Sequence, residues 1–311
     1  MGQPASAAFS VIIPVYGSGE FLWRAIKSIA EQISLPLEVI VVDDASPIPV
    51  VLPQPAQVGW PFKIRLIRLE QNGGGGVARN AGVLASVGQY IVFLDYDDMM
   101  FPEYIRVLDE TWKGVGHDVG AITVGFFWCD ENMRPYRKQC LPPDAVIDAK
   151  SLLDRGNFVG GCSVISVRRD AFMMSGGFPA LRACQDWGLL LAIAQRHQIK
   201  PLPDPYVFYM SPTFNSKSIT RSSRRAILSI CAIYRKFDPS DRGRTFQNRS
   251  GLVAYHLMCA GRKSMGLRVI KYSYLKFGRL NRLLAKAVYV SFVPPRIQLL
   301  IVRLRSVGSK Y

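Results

Sequence analysis

Paired cysteines are missing from this chain. Its six, at 129, 140, 162, 184, 231 and 259, show no CxxC spacing and no zinc-ligand pattern. That excludes a zinc ribbon and, with no secretory leader ahead of them, reads as reduced thiols in a cytosolic compartment. Long apolar runs are missing too. A spanning helix needs roughly 20 uninterrupted apolar residues, and the best candidate, residues 283–302, is broken by Lys286 and by Pro294-Pro295-Arg296. Acids are missing from the end of the chain, where none follows Asp241. The formal net charge is +16 over 311 residues, and from Lys217 to Tyr311 there are 21 Lys and Arg against 2 acids, with 18 against 21 before that. Such a cationic region seeks phosphate, as lipid headgroup or nucleic acid. At the other end Met1, Gly2 and Ser6 fit the short myristoylation pattern, and the head reads as a flexible leader.

With 49% hydrophobic and 20% charged residues, the chain is globular and long enough for one large or two ordinary domains. FSVIIPVY (9–16) predicts a buried strand. Residues 17–21 then open an amphipathic helix to about Gln32 with Leu22, Ile26 and Ile29 inward, and 37–42 predicts a second strand closed by Asp43-Asp44. Strand, helix, strand with short links is a βαβ unit and hence a parallel sheet. After a proline-rich stretch at 47–62 come a strand at 63–69, a glycine loop at 72–76, a helix at 77–86 and a strand at 90–94. Strands that end in glycine or acid predict a doubly wound α/β sheet binding its ligand at their carboxyl ends. Further on the pattern predicts a helix at 103–112, a strand at 119–128, a loop-rich stretch at 150–180 with one strand at 162–167, an apolar helix from Asp186 to about Arg196, and an edge segment at 201–209. The polar run 211–223 separates this body from the basic tail.

The most telling stretch is Tyr90-Ile-Val-Phe-Leu-Asp95-Tyr-Asp97-Asp98, a buried strand that ends in three carboxylates. Like charges this close are costly to hold ionised without a cation. A magnesium or manganese ion that takes one or two carboxylates and fills its shell with phosphate oxygens would offset them; acids that merely solvate a loop are the plainer reading. Asp43-Asp44 sits where a nucleotide fold delivers a carboxylate to a base or ribose, or else forms an Asx turn into Ser46-Pro47. Gly73, Gly75 and Ala78 match GxGxxA at the dinucleotide spacing from Asp95. That loop belongs to the third strand rather than the first, however, and Arg79 behind it is well placed to touch a base. Asp186 either caps its helix or, favoured as an ion by the helix N-terminus, accepts a proton beside a sugar-sized pocket. Trp187 offers a face to a sugar ring or packs in the core.

Taken in order, SVIIPVY (10–16), EVIVVDDAS (38–46), NGGGGVARNAGVLASVGQYIVFLDYDD (72–98), GGCSVISVRRDAF (160–172) and SGGFPALRACQDWGLLLAIAQ (175–195) cover about two-thirds of the chain, and the set resembles the family-2 inverting glycosyltransferases of the GT-A fold. The resemblance implies a Rossmann-like mixed sheet flanked by helices, with a basic, mostly helical C-terminal region. It implies that Pro14, Tyr16, Asp44 and Arg79 surround the base of a nucleotide-sugar donor, usually uracil, with Asp95 near the ribose, Asp97 or Asp98 on Mn2+ or Mg2+, and Asp186 as the base toward a saccharide or lipid-linked acceptor. There are three departures. Gln185-Asp186 stands where the family commonly has Glu-Asp. No histidine falls near 209–218 to complete the metal site, since His117, His197 and His256 lie elsewhere, which implies either a more weakly held metal or that Lys217 and Arg221 share the diphosphate charge. The QxxRW signature of processive synthases is absent, which implies one sugar added per encounter.

We expect a catalytic domain over residues 1–215 and a basic helical region over 216–311. The tail interleaves cations with aromatics, as in Lys271-Tyr-Ser-Tyr-Leu-Lys-Phe and Val288-Tyr-Val-Ser-Phe-Val, which suits a helix lying on an anionic bilayer. The expected location is therefore cytoplasmic and peripheral on the inner face of the cell membrane. The plainer alternative is a helical bundle that packs on the catalytic body or joins copies into a homo-oligomer. No nucleic-acid recognition motif is present, and no such partner is expected. Two rival functions stay open at this stage: a non-catalytic membrane-bound nucleotide-binding scaffold, and a dinucleotide oxidoreductase using the glycine loop.

Overall fold

The structure is a computed structural model and describes residues 5–17, 19, 21–52, 59–211, 223–237, 244–259 and 262–277. Strand β1 (Ala5–Val15) lies between two parallel neighbours, β2 (Leu35–Asp43) and β4 (Tyr90–Phe93). A strand covered on both faces needs apolar residues at every position rather than alternate ones; accordingly Val11, Ile12, Ile13 and Val15 are all buried. Strand β3 (Lys63–Arg68) closes this side parallel to β2, and its exposed, cationic pattern is that of an edge. Helices α1 (Leu22–Ala30) and α2 (Gly75–Ala85) make the crossovers.

Beyond β4 the sheet turns mixed. Next to it runs β8 (Ile165–Arg168), antiparallel, followed by β6 (Val119–Cys129), β9 (Gln198–Met210) and the short β5 (Met99–Met100), giving the order β3-β2-β1-β4-β8-β6-β9-β5. The hairpin strand β7 (Pro135–Gln139) fills the rest of the β6 edge that β8 leaves. This is the mixed sheet that the resemblance implies: β8 runs against both neighbours, so its leading end reaches the ligand edge. Of residues 201–209, expected as an edge, only Val207 and Phe208 gain a second strand, β5, while β9 pairs with β6 along its other side. Its prolines, which lack the N–H a ladder needs, coincide with register shifts opposite Gly125.

Helix α3 (Tyr104–Lys113) matches its expected span. The stretch expected to be loop-rich holds more order than that: α4 (Ala149–Arg155), a 3-10 turn (Cys162–Val164), β8 and α5 (Arg169–Ser175). Both helices have seven residues, too few for a helical period to show; a capping box between Asp148 and Ser151 starts α4. Helix α6 (Gln185–Ala194) is apolar all round and buried.

The basic region supplies α7 (Ser223–Phe237), α8 (Arg244–Cys259) and α9 (Lys263–Phe277). Ile230, Ile233 and Tyr234 of α7 belong to the main core, and the Tyr234 hydroxyl donates to the Leu153 carbonyl of α4 at 2.8 Å. A smaller cluster of Ala254, Met258 and Ile270 joins α8 to α9. Lys217, Arg221 and the stretch from Val288 lie outside the described residues.

Candidate functional site

Parallel strands deliver their carboxyl ends to one edge, and there β1, β2, β4 and β9 bring Tyr16, Asp43-Asp44, Asp95 to Asp98, and Met210 together. The acid cluster is real: ligand oxygens of Asp95, Asp97 and Asp98 lie within 4.8 Å of one another. Asp98 is 1% exposed. Its oxygens accept from the Ser163 hydroxyl at 2.5 Å and from the Met210 N–H at 2.8 Å, while the Asp95 N–H donates to the same Ser163 oxygen at 2.9 Å. Burial, and then the charges of Asp97 and Asp95, push the Asp98 carboxyl well above the ordinary range. A divalent cation would relieve that repulsion, and an all-oxygen donor set suits Mn2+ or Mg2+. The residues present therefore fit the ion. Arg24 of α1 steadies the turn by donating to the Asp97 carbonyl at 3.1 Å.

Of the two adjacent acids, only Asp43 takes the turn role. Asp43 forms the turn: it accepts from the Ser46 N–H at 2.8 Å, the Val50 N–H at 3.1 Å and the Arg68 guanidinium. Burial raises its pKa, but those bonds outweigh burial and hold the carboxyl below its usual range. Asp44 faces the glycine loop, where one oxygen takes the Gly73 N–H and the other the Gly74 N–H, each at 2.8 Å. Gly74 stands at φ +88°, a conformation in which a side chain is strained. Asp44 thus shapes the loop, and each of its oxygens keeps a further lone pair. Tyr16 projects at the mouth, 50% exposed, whereas Pro14 is buried in β1 beside Val42.

Behind the loop, α2 carries the buried Arg79, which pairs with Asp95 and reaches the Gln185 side-chain oxygen at 3.3 Å. Burial alone would lower its pKa, but neighbouring negative charge, Asp95 included, raises it. Gln185 also donates to the Leu181 carbonyl at 2.7 Å, so the position where an acid was missing is structurally engaged.

Asp186 is not the cap of its helix. Cys184 holds that position at φ 56°, and Asp186 sits in the first turn. One of its oxygens accepts the Trp187 N–H at 2.9 Å and the other the Asn157 amide at 2.8 Å. Burial pushes its pKa up to about 6, against the Trp187 bond and the Arg79 charge. A carboxylate that titrates near neutrality is suited to accept a proton. The sugar-facing option for Trp187 is corrected: the indole is 2% exposed, donates to the Leu152 carbonyl at 3.1 Å and packs edge-on against Tyr234 with centroids 5.7 Å apart. Ser163, Asn157 and Arg24 escaped the sequence reading, because each acts across a gap of 29 to 73 residues with no local signal. Among the described residues no histidine joins the acid cluster. His117 and His197 precede β6 and β9 and so stand at the opposite edge.

A mixed α/β sheet with an acid cluster at its carboxyl edge and a near-neutral carboxylate across from it defines the class, a GT-A enzyme fold. The family model for glycosyl transferase family 2 matches residues 10–173, and the chain belongs to that family. An uncharacterized glycosyltransferase of Haemophilus influenzae is 28% identical over 270 residues, 82% of this chain and 86% of the relative. The succinoglycan biosynthesis protein ExoO of Rhizobium meliloti is 34% identical over 115 residues, 35% of this chain and 31% of the relative. Among solved structures, S. aureus TarS 1–349 with UDP-GlcNAc superposes with a TM-score of 0.58 at 17% identity, covering 96% of this chain and 88% of that one. Mannosyltransferase PcManGT from Pyrobaculum calidifontis, in complex with GDP-Man and Mn2+, gives 0.55 at 17% identity, covering 98% and 88%. At these identities the two structures share its fold.

Proposed function

We propose that the chain is an inverting hexosyltransferase. It moves one sugar from a nucleotide diphosphate donor, UDP in the first instance, to an acceptor hydroxyl in the synthesis of a cell-surface polysaccharide or glycolipid. The observation that carries this is the contrast between two carboxylate environments: Asp186, buried apart from the other acids and raised to about 6, and the crowded cluster of Asp95, Asp97 and Asp98. Asp186 takes the proton of the acceptor hydroxyl. The freed oxygen bonds to the anomeric carbon from the face opposite the diphosphate, whose C–O bond breaks and whose oxygen leaves with the electron pair, inverting the centre. Asn157 and the Trp187 N–H keep Asp186 oriented throughout.

Tyr16 stacks on the base at the mouth of the site, Pro14 and Asp44 shape the pocket around it, Arg79 keeps Asp95 in place toward the ribose, and the cations of Lys217 and Arg221 share in offsetting the diphosphate charge. Mn2+ or Mg2+ on Asp97 and Asp98 supplies positive charge for the leaving group. UDP-GlcNAc in TarS, GDP-Man with Mn2+ in PcManGT, and the polysaccharide named for ExoO support this choice of chemistry.

Residues 1–215 carry the reaction in this reading, and residues 216–311 hold the enzyme on the inner face of the membrane, beside an acceptor carried on lipid. No helix of the described residues is long and apolar enough to cross a membrane. On α9, Tyr272 and Leu275 are exposed alongside Arg268 and Lys271, a composition that favours an anionic surface. The test is Asp186→Asn: transfer from a UDP-sugar should vanish while calorimetric binding of UDP with manganese stays close to wild type. Normal turnover in the variant would refute Asp186 as the base.

A further inference from the structure

Tyr209 has no part in the reaction as described, yet its phenol lies at the centre of the site. It stands one residue before Met210, whose N–H holds Asp98, and pairs across the sheet with Trp128. Its ring is fixed against Phe126 and Trp128, with centroids 5.3 and 5.2 Å away. The ring lies over the backbone of Gly161, where a Cβ would meet Tyr209 Cε2 at 2.6 Å. Gly161 caps the turn that carries Ser163 toward Asp98, and Asn157, which also bonds the Gly160 carbonyl, reaches Asp186 from the same segment. The phenol therefore stands between the acid cluster and the base, and the charges of Asp98, Asp95, Asp186 and Asp97 all bear on it. Among the described residues none hydrogen-bonds its hydroxyl.

We propose that the Tyr209 hydroxyl is a donor-binding group that hydrogen-bonds the distal phosphate of the nucleoside diphosphate, the one that departs. This rests on the glycosyltransferase reading above. In-line displacement runs from the oxygen deprotonated by Asp186, through the anomeric carbon, to the phosphate oxygen over the acid cluster. A ring seated on Gly161, between Met210 that holds Asp98 and the Asn157–Gly160 segment that holds Asp186, borders the distal phosphate rather than the nucleoside. The ionised carboxylates of Asp95, Asp97 and Asp186 can only accept, whereas a neutral phenol donates to an anionic oxygen, the stronger kind of hydrogen bond.

Tyr209→Phe keeps the ring and its packing and removes only the donor. The full-length chain with manganese is titrated calorimetrically with UDP and UMP, and with GDP and GMP, so that either base preference is covered. The expected result is a loss of about tenfold or more in affinity for the diphosphate and no change for the matching monophosphate. Unchanged diphosphate affinity overturns the assignment. So does an equal loss for mono- and diphosphate, which marks a structural role. A wild-type chain that binds no nucleoside diphosphate instead refutes the donor reading itself.

Discussion

Asp43, Asp98 and Asp186 have one side chain and three chemistries, set by what surrounds them. Asp43 is held ionised by an arginine and two backbone amides, Asp98 is crowded by two like charges, and Asp186 is desolvated with modest compensation. The value of about 6 for Asp186 predicts that transfer falls off as pH drops through 6, because the base becomes protonated; a profile of kcat/KM against pH measures it. The same shift bears on stability. The folded chain retains a proton on Asp186 between pH 3.8 and about 6 that the unfolded chain has released, so stability declines as pH rises through that window and the cost is complete above it. Measured against Asp186→Asn, which cannot titrate, wild type should lose about 2 kcal/mol of relative stability between pH 4 and pH 8. The acids themselves were legible in the sequence as a cluster and a helix-start aspartate. Their partners were not, since Ser163 and Asn157 are ordinary residues until the fold brings them close.

Elements long enough to repeat their pattern were legible, and short ones were not. The buried run of β1, the amphipathic face of α1 and the strand before Asp95 follow from hydrophobic period alone. The two-residue β5 and the seven-residue α4 and α5 carry no period, and the reversal of β8 depends on long-range pairing that no local pattern encodes. Helix α2 shows how tightly such elements fit. At Gly82 a Cβ would meet Val42 Cγ2 at 3.1 Å and Ile12 Cδ1 at 3.5 Å, so the helix lies directly on β1 and β2. Gly82→Val should cost about 1–3 kcal/mol by overpacking, read from urea unfolding. Because α2 carries Arg79, the variant should also bind UDP less well.

In the whole molecule the basic region and the catalytic body are not strangers. Tyr234 of α7 closes over Trp187, the residue that follows the base, and Ile230 and Ile233 extend the same core. Tyr234→Ala should lower stability by about 3 kcal/mol, as loss of a buried aromatic does, with a matching fall in the thermal midpoint. The charge asymmetry was visible from composition and packing on the catalytic body was one of two expectations, but which residues of α7 seat there was not legible, because its polar and cationic residues hide a short apolar stripe. Membrane docking predicts that the chain sediments with vesicles rich in phosphatidylserine at low salt and is released as ionic strength rises. Retention on neutral vesicles at high salt would contradict an electrostatic attachment.

Asp98 is anchored by Ser163, 65 positions later in the chain, and by Met210, 112 positions later. Distant contacts of this kind form late in folding. During synthesis, then, the aspartates emerge long before the groups that hold them. A nascent chain stopped short of Met210 has the acids with one anchor missing, and the cluster is fully held only when the last strand of the described residues is in place.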